Sequence, residues 1–292
     1  MDFLLIISIL FPVISGALTS VFKFKTDKAR NIYTIICTCL NSFVILYIVL
    51  TFKSNDSVLI FKLSDKLPIE VFSDGMSRLF AALIAFLWPL ATCYAFEYMR
   101  HEERQTAFFS FYLMTYGITA GIAFSANLVT LYFFYEFLTL VTLPIVMHGM
   151  RTKNIAAGKK YVLYSMGGAA FAFLGMIVIS VYTNTTAFTF GGVVSRELIE
   201  TSGNVLRLFF IFAAFGFGVK AAIFPFCGWL PTASIAPTPV TALLHAVAVV
   251  NAGVFAIMRI TYYSFGTELL KGSYAQYILL IFALITILFG SS

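Results

Sequence analysis

Long apolar runs separated by short polar stretches set the character of this chain. Runs of about twenty residues, the length that crosses about 30 Å of hydrocarbon at about 1.5 Å per residue, occur nine times: residues 2–22, 31–52, 76–97, 105–124, 128–149, 159–182, 206–226, 238–261 and 274–290. The pattern predicts an all-α, polytopic transmembrane helix bundle. Two of the runs meet at a proline-rich break. RLFFIFAAFGFGVKAAIFPF is followed by CGWLPTASIAP and then by TPVTALLHAVAVVNAGVFAIMRI, so Pro225, Pro231 and Pro237 fall within thirteen residues and Pro239 opens the next run. Proline removes an amide donor and clashes with the preceding turn. The seventh span is therefore predicted to be a broken helix, with Pro225, Trp229, Pro231, Pro237 and Pro239 as its structural residues. The backbone groups freed by such a break imply a buried, hydrated cavity rather than a lipid-facing surface.

Composition narrows the class. Hydrophobic residues make up 60% of the 292, charged residues 11%, and the mean hydropathy is +0.94; a soluble globular domain does not reach these values. The net charge of +6 does not point to nucleic acid, because the basic residues lie in short connections without a polybasic arm or a stacking platform. Lys23, Lys25, Lys28 and Arg30 follow the first span, Arg100 and Arg104 the third, and Arg151, Lys153, Lys159 and Lys160 the fifth. The positive-inside rule puts these connections in the cytoplasm. The N-terminus is then expected on the non-cytoplasmic side, together with 53–75, the SAN turn at 125–127, 183–205 and 262–273. The opening MDFLLIISILFPVISGALTS lacks a basic n-region and is long enough to span, so it reads as an uncleaved first helix. Cys37, Cys39, Cys93 and Cys227 show neither a disulfide framework nor metal-ligand spacing and read as small packing residues. No cofactor, metal or redox motif is expected.

A few polar side chains at membrane depth carry the candidate chemistry. A charged lysine at the centre of a membrane helix costs about 2.5–3.5 kcal/mol even on an insertion scale, so Lys220 is expected to have a partner and a task. Gly216, Gly218, Ala221 and Ala222 around it suit close helix contact. Glu136, eight residues into the fifth run and about 12 Å deep, is the only carboxylate between Glu103 and Glu197. A buried carboxylate persists either neutral or ionised beside a cation, and Lys220 is the only cation the pattern places well inside a span. The two are expected to pair. Glu136 would stabilise the charged lysine, and separating them would leave the amine in surroundings that favour proton loss; a static pair that fixes helix register is the alternative. His245, about two turns into the eighth span, is expected at a depth similar to that of Lys220, as a relay that titrates near neutrality. Asn251, rotated by about 120 degrees on the same helix, would connect to it only through water. His148 reads as interfacial, with a proton-intake role as the alternative. Pro144 reads as a kink and Asp74, in SDGMSR, as a helix cap.

At these residues the chain resembles a known family. The run VKAAIFPFCGWLPTASIAPTPVTALLHAVAVVNAGVFAIMRI is similar to the signature of the antiporter-like membrane subunits shared by respiratory complex I, membrane-bound hydrogenases and Mrp-type Na+/H+ antiporters, and YFFYEFLTLVTLPIV resembles that family's fifth helix. The resemblance extends from about Asp74 to Arg259. It implies that the fifth-helix glutamate and the broken-helix lysine, here Glu136 and Lys220, form the ion pair of a proton half-channel, with His245 as the eighth-helix histidine. Cys227 stands where many members have histidine, and Asn251 where several have lysine. Members have about fourteen helices in two inverted five-helix repeats. The implied organisation is N-terminal helices in 1–103, one half-channel repeat in 104–261 and the first helix of a second repeat in 262–292. The terminal ILFGSS resembles the interior of the ninth helix, so the chain is expected to be the N-terminal part of a longer protein. The implied function is a proton-translocating subunit of an NADH:quinone oxidoreductase-like or membrane-bound hydrogenase complex in a prokaryotic plasma membrane. Its partners would be other membrane subunits and H+, or Na+, with redox chemistry left to those partners. The alternatives are a non-conducting scaffold and an Mrp-type cation/proton antiporter subunit.

Overall fold

The computed structural model describes residues 2–22, 24–51, 57–64 and 67–291; Lys23 and parts of the 53–75 connection lie outside them. Seven long helices come first: α1 (Asp2–Val21), α2 (Asp27–Thr51), α3 (Gly75–Met99), α4 (Gln105–Ala123), α5 (Leu128–Val146), α6 (Thr152–Thr183) and α7 (Arg196–Gly218). The remainder is more broken, with α8 (Trp229–Ala233), α9 (Thr238–Ala242), α10 (Val249–Arg259), α11 (Thr267–Leu270) and α12 (Tyr274–Ser291). Widened turns at Leu243–Val247 and Ile260–Phe265 make Thr238–Phe265 one continuous span. Among the described residues eight helices are long and apolar enough to cross a membrane, and Tyr274–Gly290 forms a shorter apolar helix. The chain is a multi-pass integral membrane protein.

Helix ends follow local chemistry. Asp74 and Asn127, both extended, accept hydrogen bonds from the amides of Ser77 and Thr130 and so cap α3 and α5, each satisfying a donor that a helix start leaves open. Several boundaries differ from the hydropathy reading, among them the start of α7 at Arg196, ten residues before its apolar run. The sixth helix starts at Thr152, because its basic first turns continue as helix outside the apolar window. The seventh ends at Gly218, eight residues before the apolar run does; hydropathy marks depth, not backbone conformation.

The 53–75 connection holds an element that the apolar pattern did not predict, an antiparallel hairpin of β1 (Val58–Ser64) and β2 (Leu67–Val71) in which Val58 faces Val71 and Ser64 faces Leu67. The hairpin is pinned to the α4–α5 turn: the Ala126 amide donates to the Glu70 carbonyl (3.0 Å), the Phe72 amide to Phe124 (2.8 Å), and the Asn127 side-chain amide to Pro68 (3.0 Å). It lies over the end of α5 that Asn127 caps.

Inside the bundle α4 is the central helix, packed by α1, α3 and α5 and touched by α10. Trp88 of α3 and Tyr116 of α4 stack there at 4.4 Å. The α6–α7 contact is backbone on backbone. A Cβ at Gly216 would lie 2.3 Å from the Ala172 amide nitrogen and 2.6 Å from the Gly168 carbonyl, so only glycine fits there.

Two arginines are buried as well, both at helix ends, whereas Lys220 is the cation expected well inside a span. Arg30, 3% exposed, donates to Asp27 (2.8 Å) and to Gln105 at the head of α4 (2.6 Å), so it ties α2 to α4 rather than standing free in a loop. Arg259, fully buried at the end of α10, grips Asp74 with both branches of its guanidinium (2.6 and 2.7 Å) and also reaches Ser77 Oγ (2.7 Å). Phe72, Phe188, Phe255 and Tyr263 surround it at 4.5–5.2 Å. Asp74 is thus both a cap and a counter-ion. It clamps the end of α10 to the start of α3.

Asp74 lies just outside the membrane helices. Burial alone would push its carboxyl up, but the hydrogen bonds and charge of Arg259, helped by Ser77, outweigh that and hold it below its ordinary value. A depressed folded-state value contributes stability that is present above the unfolded carboxyl's value of about 4 and is lost as pH falls through the folded one. The thermal midpoint of the detergent-solubilised protein should therefore drop as the pH is taken below about 4. Asp74→Asn should lower the midpoint at neutral pH, by the equivalent of about 3–5 kcal/mol, and flatten part of the acid dependence. A midpoint unmoved by Asp74→Asn would contradict the clamp.

Candidate functional site at the broken helix

The site begins where α7 stops. Val219 to Pro225 run as turns, with the Ile223 amide donating to the Gly218 carbonyl (3.0 Å) and Ala222 in the left-handed region at φ 56°. Trp229, fully buried on α8, turns back and donates its indole N–H to the Val219 carbonyl (2.7 Å). Pro231 lies within α8, Pro237 caps α9 and Pro239 occupies its first turn. The broken helix expected at these residues is present, and Lys220 sits in the break itself, two residues past the helix end.

Lys220 is 1% exposed. Its ammonium donates to the Tyr135 carbonyl of α5 and lies 3.4 Å from the centroid of the Tyr135 ring. Its Nζ is 3.9 Å from Glu136 Oε1, so the expected acid–amine pair is in place, at ion-pair distance but without a direct hydrogen bond. Glu136 is more open, 29% exposed at the side chain, although its Oε1 is buried and lacks a hydrogen-bond partner. Tyr135 ties the arrangement together by donating its hydroxyl to the Phe217 carbonyl (2.7 Å), one of the last-turn carbonyls that the break leaves open. Nothing in the sequence marked Tyr135; one of fifteen tyrosines, it stands out only once α5 and the end of α7 are side by side.

The next span, Thr238–Phe265, approaches Lys220 through Gly253. A Cβ there would fall 2.3 Å from the Ala221 amide nitrogen and 2.8 Å from the Lys220 carbonyl carbon. His245 is eight residues earlier, on the order of 12 Å along a helix axis, exposed, with its Nε2 3.1 Å from Ser234 Oγ. The expectation of similar depth for Lys220 and His245 is therefore corrected. The chain spends residues 219–237 on turns and a short helix, so residue counts from the proline break do not measure depth. Asn251 donates to the Ala246 carbonyl (2.6 Å) of its own helix, across the widened turn in which the Ala248 amide donates to Leu243 (2.9 Å). Its amide supports the irregular turn.

His148 is also more enclosed than an interfacial residue. It is 5% exposed, its Nε2 has no partner, and its carbonyl accepts from the Asn154 side chain. It borders a cavity of about 470 Å³ shared with Glu102, Glu103, Arg151 and Lys153. Burial pushes the imidazole below its ordinary value, opposed by the Glu102 charge and the Glu103 backbone. Among the described residues no group of three His, Cys, Asp or Glu is placed to hold a metal ion, and the four cysteines are free.

A discontinuous membrane helix that carries a buried lysine beside a glutamate of the neighbouring helix defines a class, that of helical membrane subunits built to handle charge at mid-membrane. Residues 125–292 match the family described as NADH:quinone oxidoreductase/Mrp antiporter, TM, and with more than half of its length inside that match the chain belongs to this family. It is 33% identical over 225 residues to a Na(+)/H(+) antiporter subunit of Alkalihalophilus pseudofirmus, covering 76% of this chain and 27% of that protein. It is 32% identical over 202 residues to a probable K(+)/H(+) antiporter subunit of Rhizobium meliloti, covering 67% and 19%. The chain thus spans about a quarter of the first relative's length and a fifth of the second's. Its fold is that of a chain in the Mrp complex from Dietzia sp. (TM-score 0.79, 20% identity, 95% of this chain and 29% of that one). It is also that of a chain in the membrane-bound sulfane sulfur reductase, an archaeal respiratory membrane complex (0.77, 20%, 96% and 57%).

Tyr135→Phe keeps the ring and the carbonyl under Lys220 and removes only the bond to Phe217. It should cost about 1–3 kcal/mol, the penalty for an orphaned buried carbonyl, read as a lower thermal midpoint of the purified protein. A wild-type midpoint would mean that the tie does not hold the break.

Proposed function

We propose that the protein is a proton-translocating membrane subunit in which Glu136 and Lys220 act as a charge switch. The observation that carries this reading is their 3.9 Å separation without a direct hydrogen bond. A pair held that loosely can open and close at small energetic cost, whereas a bidentate pair cannot. Closed, the carboxylate stabilises the ammonium; open, the low-dielectric break favours the neutral amine, and the proton leaves. His245 is then an outer relay that works with Ser234. Asn251 shapes the turn between them, and water is needed to bridge the remaining distance. In this reading residues 104–261 are one half-channel, the N-terminus is non-cytoplasmic, and other membrane subunits complete the route.

The alternative that the machinery serves cation/proton exchange of the Mrp type is favoured by one observation, the names of the relatives, one a subunit of a Na(+)/H(+) antiporter and the other a probable subunit of a K(+)/H(+) antiporter. Both readings share the switch and differ in what drives it. A redox-driven complex would couple the switch to partners that carry the electron chemistry, and an antiporter would couple it to a cation gradient.

In the assembled complex, Lys220→Ala should abolish proton flux across membrane vesicles while leaving assembly intact. Glu136→Gln should depress the flux, and Glu136→Asp should retain part of it, because charge rather than reach biases the lysine. Wild-type flux in Lys220→Ala would refute the transport role. Flux driven by imposed Na+ or K+ gradients, as against respiratory substrates, decides between the two couplings.

A further inference from the structure

Beside Glu136 lies a cluster of buried hydroxyls that the Lys220 pair does not use. Tyr161 of α6 is fully buried, and its hydroxyl is 2.8 Å from Thr142 Oγ1 on α5. Thr142 commits its own hydrogen to the Leu138 carbonyl at 2.6 Å, so the phenol is the donor in that contact and its oxygen remains free to accept. Ser165 lies one turn beyond Tyr161 on α6, and Glu136, Thr139 and Thr142 follow one another at three-residue spacing on α5. Thr139 Oγ1, Ser165 Oγ and Glu136 Oε1 are each buried without a hydrogen-bond partner among the described residues. Buried oxygens are nearly always paired, and several open ones around a single phenol match the lining of an ordered-water site.

The cluster has an outer end. Lys160, one residue before Tyr161 and half-buried, donates to Thr232 Oγ1 of α8 at 2.9 Å. Its Nζ and the Tyr164 hydroxyl flank Gly228, 3.8 and 3.5 Å from where a Cβ would sit. Lys160, Tyr161, Tyr164 and Ser165 recur at helical spacing and form one polar stripe of α6, turned toward α5 and the break. The Tyr161 ring is fixed against Trp229 at 5.1 Å, so the stripe is held by the same indole that closes the broken helix.

We propose that this stripe is a second proton inlet, which reprotonates Glu136 along α6 independently of the arm through Lys220 and His245. The proposal rests on the proton-translocation reading above. In one event a proton from the aqueous side enters past the Lys160 ammonium on a water of the stripe. Each hydroxyl or water in turn gives its hydrogen to the next oxygen and takes one from behind, and the Glu136 carboxylate gains the last. Lys160 stays charged throughout, so Glu136 alone changes charge. Thr142 sets the resting direction of the phenol O–H, which turns toward the Glu136 side during transfer.

Proton flux in membrane vesicles that carry the full complex, normalised to assembled complex, tests the inlet. Tyr161→Phe keeps the ring on Trp229 and should slow the flux about five- to tenfold, the effect of deleting one bond in a buried network, with a changed solvent deuterium isotope effect. Ser165→Ala, a smaller perturbation, should change both quantities in the same direction. Wild-type flux and isotope effect in both variants would overturn the inlet. If Lys220→Ala run alongside loses flux while both variants keep it, only the inlet falls. If all three keep it, the switch falls as well.

Discussion

Everything in this chain is arranged around the problem of keeping an ammonium group away from water. A lysine at mid-membrane costs about 2.5–3.5 kcal/mol on the most permissive scale, and Lys220 is 1% exposed. The protein replaces its hydration with one carbonyl, one aromatic face and one carboxylate, all on the two adjacent residues Tyr135 and Glu136. An unbroken helix at residue 220 would point its backbone groups along its own axis. The break lets the side chain leave near the helix end, where the Phe217 and Val219 carbonyls are taken up by Tyr135 and Trp229. The end of α7 at Gly218 is therefore part of the solvation of Lys220, since a continued helix would otherwise carry it.

Such a site needs rigid surroundings, which come from contacts without side chains. Gly216 lets α6 and α7 touch through their backbones, and Gly253 does the same between α10 and the turn that holds Lys220. A methyl group at either position would push apart the walls of the break. The outer end of the span is fixed by Arg259 on Asp74, and the hairpin β1–β2 fixes the turn that starts α5. Glu136 thus sits on a helix whose first turn is tethered, facing a break packed against a span whose far end is clamped.

The bundle was legible in the sequence because membrane helices must satisfy their own backbone and present apolar side chains to lipid, and both demands leave long runs. The Glu136–Lys220 pair was legible for the complementary reason, since charges inside those runs are too costly to be incidental. Features that depend on what lies across a helix interface were not legible. Tyr135 is one aromatic residue among many until α7 ends beside it, and Arg259 looks like a terminal flank until Asp74 is seen opposite. The depth of His245 was misread because turns at 219–237 consume residues without advancing along the membrane as a helix does. The hairpin was hidden because seven- and five-residue strands are too short to register as apolar runs.

The two interior ion pairs that involve these spans show how geometry separates a clamp from a switch. Arg259 cannot lose its proton, and it meets Asp74 through two bonds of 2.6 and 2.7 Å inside a ring of four aromatic side chains; opening it would strand a permanent charge. Lys220 can become neutral, and its carboxylate stands 3.9 Å away with an unpartnered oxygen. Exchanging the two cations would defeat both sites. A lysine at 259 would lose the fork that holds α3, and an arginine at 220 would keep its charge whatever Glu136 did. The choice of cation at each position follows from whether the fold needs the charge to stay or to be able to leave.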